Sequence, residues 1–459
     1  MKMQLSEIAK TVSAQNDISA WQTVEISSVA FDSRELKPGA LFVPLVGERD
    51  GHTFIDKAIE NGAAATFWQA DHGDVPTDIP VIVVDDALKA LQALSKHYLL
   101  KINPRVVAIT GSNGKTTTKD MVASILATQF NVTKTQDNFN NEIGVPITIL
   151  SMEPNTEMLV VEMGMDRPGQ LDFLSRLVAP DIAIITMIGE AHIEFFGTRD
   201  KIADAKMEIV NGLKDDGLFI YDGDEPLLQE RAQTVSQRQL TFGHSAEDDV
   251  NETAMTPTPV NTTFTTNLWP DTTFDVPMIG DYNVNNALAA LCVAKTYRIA
   301  PEKATAALLN LDLTRNRAEW VTGSQGEKIL SDVYNSNPTA VKEVMAAFTK
   351  TPVDGRRLVV LGDMLELGEQ SDALHAGLSS AFDPTLVAGV YLVGPHMHAL
   401  YDQLEKNFDA EQLHFYQVDE LGTLSADLLA TLTAKDAILI KGSHGIHLET
   451  VLASLRTAD

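Results

Sequence analysis

Hydrophobic positions along the chain come in two rhythms. Short apolar runs bounded by Gly, Pro or acidic residues alternate with longer stretches in which apolar positions recur every three or four residues, the signatures of buried strands and of helices. Over residues 1–103 the runs "ALFVPLVG", "AATFWQA" and "IPVIVVDD" predict strands, while "HTFIDKAIENGA" and "ALKALQALSKHYLLK" predict helices. The opening "MKMQLSEIAKTVSAQND" reads as a short amphipathic helix, and "KINPR" as a linker in which Pro104 biases Asn103 toward an extended conformation. From 104 to 313 the series is "RVVAIT", "TTTKDMVASILATQF", "EMLVVEMG" and "DIAIITMI", whose continuous apolar strands suit a parallel sheet buried on both faces. A Thr/Asn/Pro-rich stretch at 250–279 reads as β-structure, followed by the helix "NVNNALAALCVAKTY". A third series, within 314–459, holds "EKILSDVY", "PTAVKEVMAAFTK", "RRLVVLGDM", "GVYLVGP" and "DAILIKGS". The expected fold class is α/β in three domains, 1–103, 104–313 and 314–459: a small N-terminal domain, then two doubly wound parallel-sheet domains.

Composition narrows this picture. The 459 residues are 44% hydrophobic and 21% charged, as in a soluble globular protein. No apolar run approaches the roughly 18 residues of a membrane span, and the first residues have too short an apolar core for a signal peptide. A single cysteine, Cys292, rules out an internal disulfide framework, lies in an apolar helical run and fits a reducing cytoplasm. A formal charge of −28 argues against nucleic acid as a partner, since phosphate backbones need an extended basic surface. Small anionic substrates need only a few cations and backbone N–H groups.

Candidate chemistry gathers where the predicted strands end, the place where open parallel sheets bind ligands. "RVVAIT" runs into Gly111-Ser112-Asn113-Gly114-Lys115-Thr116, and this loop opens a helix. A standard phosphate loop would place its first glycine at 109, which is Ile109 here. The two readings are a nucleotide loop of a particular kind and a glycine turn with a solvated lysine; strand, loop, Gly-Lys-Thr and helix together favour the first. In it, Lys115 serves the β- and γ-phosphates and Thr116 a Mg²⁺ ion. "MLVVE" ends at Glu162, a surface carboxylate or, beside a nucleotide, a hard oxygen ligand for Mg²⁺. In "RDKIADAKMEIVNGL", Ile202, Lys206, Ile209 and Leu213 share one helical face. Lys206 either snorkels from that apolar stripe or is a desolvated, neutral amine doing chemistry.

These segments, in this order, resemble the ATP-dependent Mur ligases of bacterial cell-wall synthesis. The loop Thr110–Thr116 fits that family's shortened T-G-[ST]-N-G-K-[ST] form at every position. "FDSRELKPGALFVPLVGERDGHTF" is similar to its UDP-binding module, and "NNEIGVP", "VVEMGM", "AHIEFFGT", "AKMEI", "DVYNSNPTAV", "GDMLELG" and "KGSHG" are similar to its branch that adds a dipeptide. The resemblance implies that ATP is held by Thr110, Gly111, Ser112, Asn113, Gly114, Lys115, Thr116 and Thr117. Asn283 and Asn286 would meet the adenine, with Tyr282 where the family has histidine, and Arg317 and Asp332 would reach the nucleotide from the last domain. It implies two Mg²⁺ ions served by Thr116, Glu162, His192 and Lys206, the last carrying a carbamate from CO2. Catalytic roles would fall to Lys115, Glu162, His192 and Lys206. The UDP-sugar end would use Ser33, Arg34, Arg49, Asp50 and His52. Asn141, Asn335, Asn337, Asp363 and Glu366, with Leu367, would face the peptide substrates, and His444 is given no role.

The expected reaction is ligation of D-Ala-D-Ala to UDP-N-acetylmuramoyl-tripeptide in peptidoglycan precursor synthesis, in the cytoplasm, by a monomer with neither nucleic-acid nor membrane partners. A GTPase-like switch would share the loop, but the chain has no [NT]-K-x-D guanine motif. A silent scaffold conflicts with the presence of Lys115, Glu162, His192 and Lys206 together. A sibling ligase adding one amino acid is the competing enzyme.

Overall fold

The computed structural model describes residues 1–311 and 319–456. It begins with β1 (Met3–Gln4), β2 (Glu25–Ile26), β3 (Ser28–Ala30), β4 (Ala40–Phe42), β5 (Ala63–Gln69) and β6 (Val81–Val84). β1 and β2 pair antiparallel, while β3-β4-β5-β6 form a parallel sheet in that order. The expected N-terminal helix is Leu5–Thr11, shortened because Met3 and Gln4 pair with Ile26 and Glu25. Helix Ala87–Ile102 starts on Asp86, whose carboxylate accepts the Lys89 N–H, and ends on Asn103 at φ 54°. Asn103 is therefore left-handed rather than extended. Pro104 disfavours only the right-handed helical region, asparagine tolerates the left-handed one, and there its N–H reaches the Leu99 carbonyl at 2.7 Å.

The central strands are β7 (Arg105–Thr110), β8 (Val132–Lys134), β9 (Met158–Glu162), β10 (Ile182–Ile185), β11 (Leu218–Asp222), β12 (Arg238–Gly243), β13 (Val250–Pro257), β14 (Thr262–Thr266) and β15 (Thr273–Val276). They make one sheet in the order β15-β14-β13-β12-β11-β10-β7-β9-β8. Pairings from β8 across to β13 are parallel, and β13-β14-β15 form an antiparallel ribbon, the β-structure expected at 250–279. β9, β10 and β11 are buried at every position, which is why they read as unbroken apolar runs. Helices Lys115–Ala127 and Asp281–Thr296 pack on one another, with Cys292 fully buried. Burial pushes the Cys292 thiol well above its ordinary range, so it is inert packing.

The last sheet has strands β16 (Glu319–Thr322), β17 (Lys328–Asp332), β18 (Arg357–Gly362), β19 (Gly389–Val393), β20 (Leu413–Tyr416) and β21 (Ala437–Lys441). Their order is β16-β17-β21-β18-β19-β20, with only β16 antiparallel to its neighbour. Helix Pro338–Lys350 follows β17. The carboxyl ends of β7 and β9 in the central sheet, and of β17 and β21 in the last one, open onto a common cavity.

Candidate active site

The loop after β7 forms as its glycines require. A Cβ on Gly111 would lie 1.8 Å from Thr186 Oγ1, and one on Gly114, at φ 78°, would lie 2.3 Å from Asn286 Oδ1. Only glycine allows this path. Gly114 caps helix Lys115–Ala127, so the helix's first N–H groups face the loop, as phosphate binding needs. Lys115 Nζ donates to the Gly111 carbonyl at 2.8 Å and so lies along the loop. Ser112 Oγ accepts the Gly189 N–H at 2.8 Å, tying the loop to the segment after β10. Thr110 donates to the Met163 carbonyl at 2.8 Å, fixing the strand-to-loop transition.

Thr116 Oγ1 donates to Glu162 Oε2 at 2.9 Å, and Asn140 Nδ2 donates to Glu162 Oε1 at 2.9 Å. A hydroxyl and a buried carboxylate side by side at the start of a phosphate-loop helix are the hard oxygen donors that Mg²⁺ prefers. His192 Nδ1 lies 2.5 Å from Glu366 Oε2, and that ring holds the Glu366 carboxyl below the usual range against the opposing effect of burial. Lys206 sits in the last turn of helix Arg199–Met207, which Thr198 caps by accepting the Lys201 N–H. It is 2% exposed, and among the described residues it has neither an ion pair nor a side-chain hydrogen bond. Burial, reinforced by the nearby Lys115 charge, holds its amine well below the ordinary lysine range. The snorkelling alternative is therefore not what the fold adopts.

A cavity of about 550 Å³ is lined by Ser112–Thr117, Asn140, Asn141, Glu162 and His192, and by Asp332, Asn335, Glu366 and Lys441 from the last domain. Lys441 Nζ donates to Asp332 Oδ2 at 2.6 Å and to the Asn335 carbonyl at 2.7 Å, binding the ends of β17 and β21 together. The two domains also meet directly. Asn113 and Asn337 exchange amide hydrogen bonds of 3.2 and 2.7 Å, and Thr339 Oγ1 donates to Glu190 at 2.7 Å. Gln370 donates to the Gly197 carbonyl.

Several expected residues are placed otherwise. Asn337, 1% exposed, lines no part of this cavity; its Oδ1 caps helix Pro338–Lys350 by accepting the Ala340 N–H, and its amide docks on Asn113. Asp363, 2% exposed, accepts the backbone N–H groups of His396 and Met397, which leaves it turned into its own domain. Leu367 is likewise buried at 2%. Asn141 lines the cavity, but its Oδ1 accepts the Ile143 and Gly144 N–H groups; the neighbouring Asn140 is the one turned to Glu162. Asn283 donates to the Ile279 carbonyl, and Asn286 donates to Asn283 and accepts from Thr118, so each amide is partly engaged inside the fold. Tyr282, where the family has histidine, lines the cavity, and burial pushes its hydroxyl well above the ordinary range. Arg317 lies outside the described residues.

Ser33, Arg34, Arg49, Asp50 and His52 do not line this cavity; they follow β3 and β4 at the carboxyl end of the small sheet. Arg34 pairs with Asp32 at 2.6 Å, Asn61 donates to the Ser33 carbonyl, and Arg49 is exposed. Asp50 holds His52 Nδ1 at 2.8 Å and faces His72 Nε2 at 3.3 Å, with the two imidazoles stacked. His52 Nε2 accepts the Gln69 N–H at 3.3 Å, so its proton sits on Nδ1 and is shared with Asp50; this is a hydrogen-bonded turn, not a metal ligand. His72 was not singled out in the sequence, and "DHGD" alone carries no signal for it.

Sequence reasoning also passed over Glu343. Burial pushes Glu343 up to about 7, against the lowering influence of Lys441. A second cavity of about 430 Å³ lies on the other flank of the phosphate loop. It is lined by Gly114, Asp222, Asn285, Asn286 and Glu343, among others, and burial raises Asp222 to about 7. Glu343 was hidden in a helical pattern that reads as an ordinary exposed face.

A shortened phosphate loop after a strand, a hydroxyl-carboxylate pair beside it, and a facing domain docked over both define an ATP-dependent ligase fold of the Mur type. The family models agree in order along the chain: the Mur ligase family catalytic domain matches residues 25–99, the Mur ligase middle domain 109–294, and the Mur ligase glutamate ligase domain 316–444. The chain belongs to the Mur ligase family. Among curated relatives, it is 40% identical to the UDP-N-acetylmuramoyl-tripeptide–D-alanyl-D-alanine ligase of Bacillus subtilis (strain 168), over 99% of this chain and 98% of that one. Its structure superposes on MurF from Acinetobacter baumannii with a TM-score of 0.87 at 26% identity, covering 99% of both chains. It also matches MurF ligase from Thermotoga maritima in complex with ADP, with a TM-score of 0.80 at 29% identity, covering 93% of this chain and 96% of that one.

Proposed function

We propose that the protein uses ATP to join D-alanyl-D-alanine to UDP-N-acetylmuramoyl-tripeptide, giving the pentapeptide precursor, ADP and phosphate. The observation that carries this reading is the shared cavity: phosphate loop and Thr116–Glu162 pair on one side, Asn335 and Lys441 of the last domain on the other. End-to-end similarity to relatives bearing that name supports it. The three domains are assigned as 1–103 for the UDP-sugar, 104–313 for ATP and 314–459 for the dipeptide. A cytoplasmic monomer is the working form; no helix among the described residues is long and apolar enough to cross a membrane.

In this reading the terminal carboxylate of the tripeptide attacks the γ-phosphorus of ATP. The bond to the bridging oxygen breaks and ADP leaves. The dipeptide amine then attacks the acyl carbon, phosphate departs, and the nitrogen loses its proton. The loop N–H groups and Lys115 hold the phosphates and offset the charge that builds on them. Thr116, Glu162 and His192 would hold Mg²⁺, which supplies charge neutralisation at the phosphate oxygens when bound. Lys206, whose charged form is disfavoured by burial and which has no counter-charge among the described residues, is suited to add to CO2: its unprotonated nitrogen forms a bond to carbon, loses a proton, and becomes an anionic carbamate that would serve a second cation. The docked last domain keeps water from the acyl phosphate.

The test is phosphate release with UDP-MurNAc-tripeptide and ATP, comparing D-Ala-D-Ala with D-Ala, D-Glu, L-Lys and diaminopimelate. D-Ala-D-Ala should dominate, because a single residue leaves buried polar groups unmatched at about 1–3 kcal/mol each. Comparable turnover with one amino acid would transfer the assignment to a sibling ligase.

A further inference from the structure

A dipeptide presents two charges to its site: an amine, which must approach the acyl phosphate, and a distal carboxylate, which must be met elsewhere. Carboxylate recognition calls for a cationic or strongly donating side chain, and charge-assisted hydrogen bonds are the stronger ones. Among the described residues, four side chains lining the main cavity can carry positive charge: Lys115, His192, Lys441 and His444. Three are committed. Lys115 lies along the phosphate loop, on the Gly111 carbonyl. His192 is held against Glu366. Lys441 is 1% exposed and spends its ammonium on Asp332 and the Asn335 carbonyl.

The remaining one is His444. We infer that His444 receives the distal carboxylate of the D,D-dipeptide, an assignment that rests on the dipeptide-ligase reading above. The residue is exposed and has no acidic partner among the described residues; its ring stacks beside Tyr334, at 5.9 Å between centroids and 23° between planes, and meets His447 edge-on at 6.1 Å. The segment that carries it is fixed: Ser443 N–H donates to the Asp363 carbonyl at 3.2 Å, and Ser443 Oγ accepts the Leu365 N–H at 2.9 Å. Leu365, 41% exposed, lines the same cavity and touches the turn at Gly445. An imidazole donor beside an exposed aliphatic side chain is the chemistry that a short peptide ending in methyl and carboxylate groups requires. The plainer alternative is a solvated surface histidine, for which neither stacking on Tyr334 nor a place in the cavity wall has a use.

The experiment measures KM for D-Ala-D-Ala and for its C-terminal amide by phosphate release, at saturating ATP and UDP-MurNAc-tripeptide, in the wild type, His444→Ala and His444→Arg. The wild type should favour the free acid by about 10–100-fold in kcat/KM, the range of a charged hydrogen bond. His444→Ala should bring acid and amide within about threefold of each other while leaving the KM for ATP unchanged, and His444→Arg should restore the preference. The acid-to-amide ratio is read within one preparation, so partial misfolding does not affect it. A full preference for the acid in His444→Ala overturns the assignment. Failure of the wild type to use either dipeptide overturns the dipeptide-ligase reading, and this assignment with it.

Discussion

Two lysines, Lys206 in the central domain and Lys441 in the last, are almost equally closed to solvent at 2% and 1% exposure. Their surroundings differ in kind. Lys441 meets a carboxylate and a carbonyl within 2.7 Å, so it is an ammonium locking two strand ends together. Among the described residues Lys206 meets no counter-charge, and its electrostatic neighbour is another lysine, Lys115. Burial alone therefore assigns neither role. A buried lysine with a partner is a brace; one without is an amine whose charged form burial disfavours, at a standing cost in stability.

The sharpest way to break the comparison is to remove the unpartnered amine. Lys206→Ala should lower turnover by about a thousandfold or more, the scale seen when charge stabilisation at a phosphoryl site is lost. Short carboxylic acids should restore part of it, while Lys206→Arg stays inactive because guanidinium remains cationic. Phosphate release checks all three; an active Lys206→Ala without additives, or a bare amine at high bicarbonate, would end the carbamate proposal.

Lys115→Ala should cost about 10²–10³-fold in kcat with the melting temperature unchanged, since it removes charge from the phosphate loop and nothing from the core. Near-full activity in a folded variant would mean that the loop is not the catalytic phosphate site.

Stability should separate the two lysines by sign. Lys441→Met strands Asp332 beside a strand end and should destabilise by about 3 kcal/mol, the cost of breaking a mostly buried pair, visible as a fall of several degrees in Tm. Lys206→Met should instead raise Tm slightly in bicarbonate-free buffer. The folded-state pKa of Lys206 lies below its unfolded value, so the unfolded chain binds the extra proton and wild-type stability rises with pH. The advantage of Lys206→Met should therefore narrow as pH climbs toward the ordinary lysine range of about 10. A Tm shift of the same sign for both methionine variants would contradict the contrast.

Much of this was legible in the sequence because the strands buried on both faces announce their own ends. "RVVAIT" and "MLVVE" mark the phosphate loop and Glu162 as strand-end candidates, which the structure brings together, and the odd lysine in an apolar stripe is buried and, among the described residues, unpaired. Legibility stopped where side chains choose partners within a turn. "NNEIGVP" does not say which asparagine turns back onto the backbone, and Asn141 accepts the Ile143 and Gly144 N–H groups while Asn140, one residue earlier, reaches Glu162. Asn337 and Asp363 looked equally available at strand ends, yet each satisfies backbone N–H groups of its own domain. Such assignments depend on caps several residues away or, for Asn337 and Asn113, on another domain altogether.

The reciprocal amide pair between Asn113 and Asn337 has a consequence for how this acidic molecule behaves in different salt. A chain with formal charge −28 gains self-repulsion whenever two of its domains approach, and dissolved ions damp both that repulsion and any attraction between exposed charges. An amide pair carries no net charge, and the Gln370 contact with the Gly197 carbonyl is of the same neutral kind. Charged contacts join the same two domains, His192 with Glu366 and the exposed pair Lys350 with Asp281 at 3.6 Å, and these weaken as ionic strength rises; the amide contacts are the part of the docking that keeps its grip while the repulsion between the domains is damped.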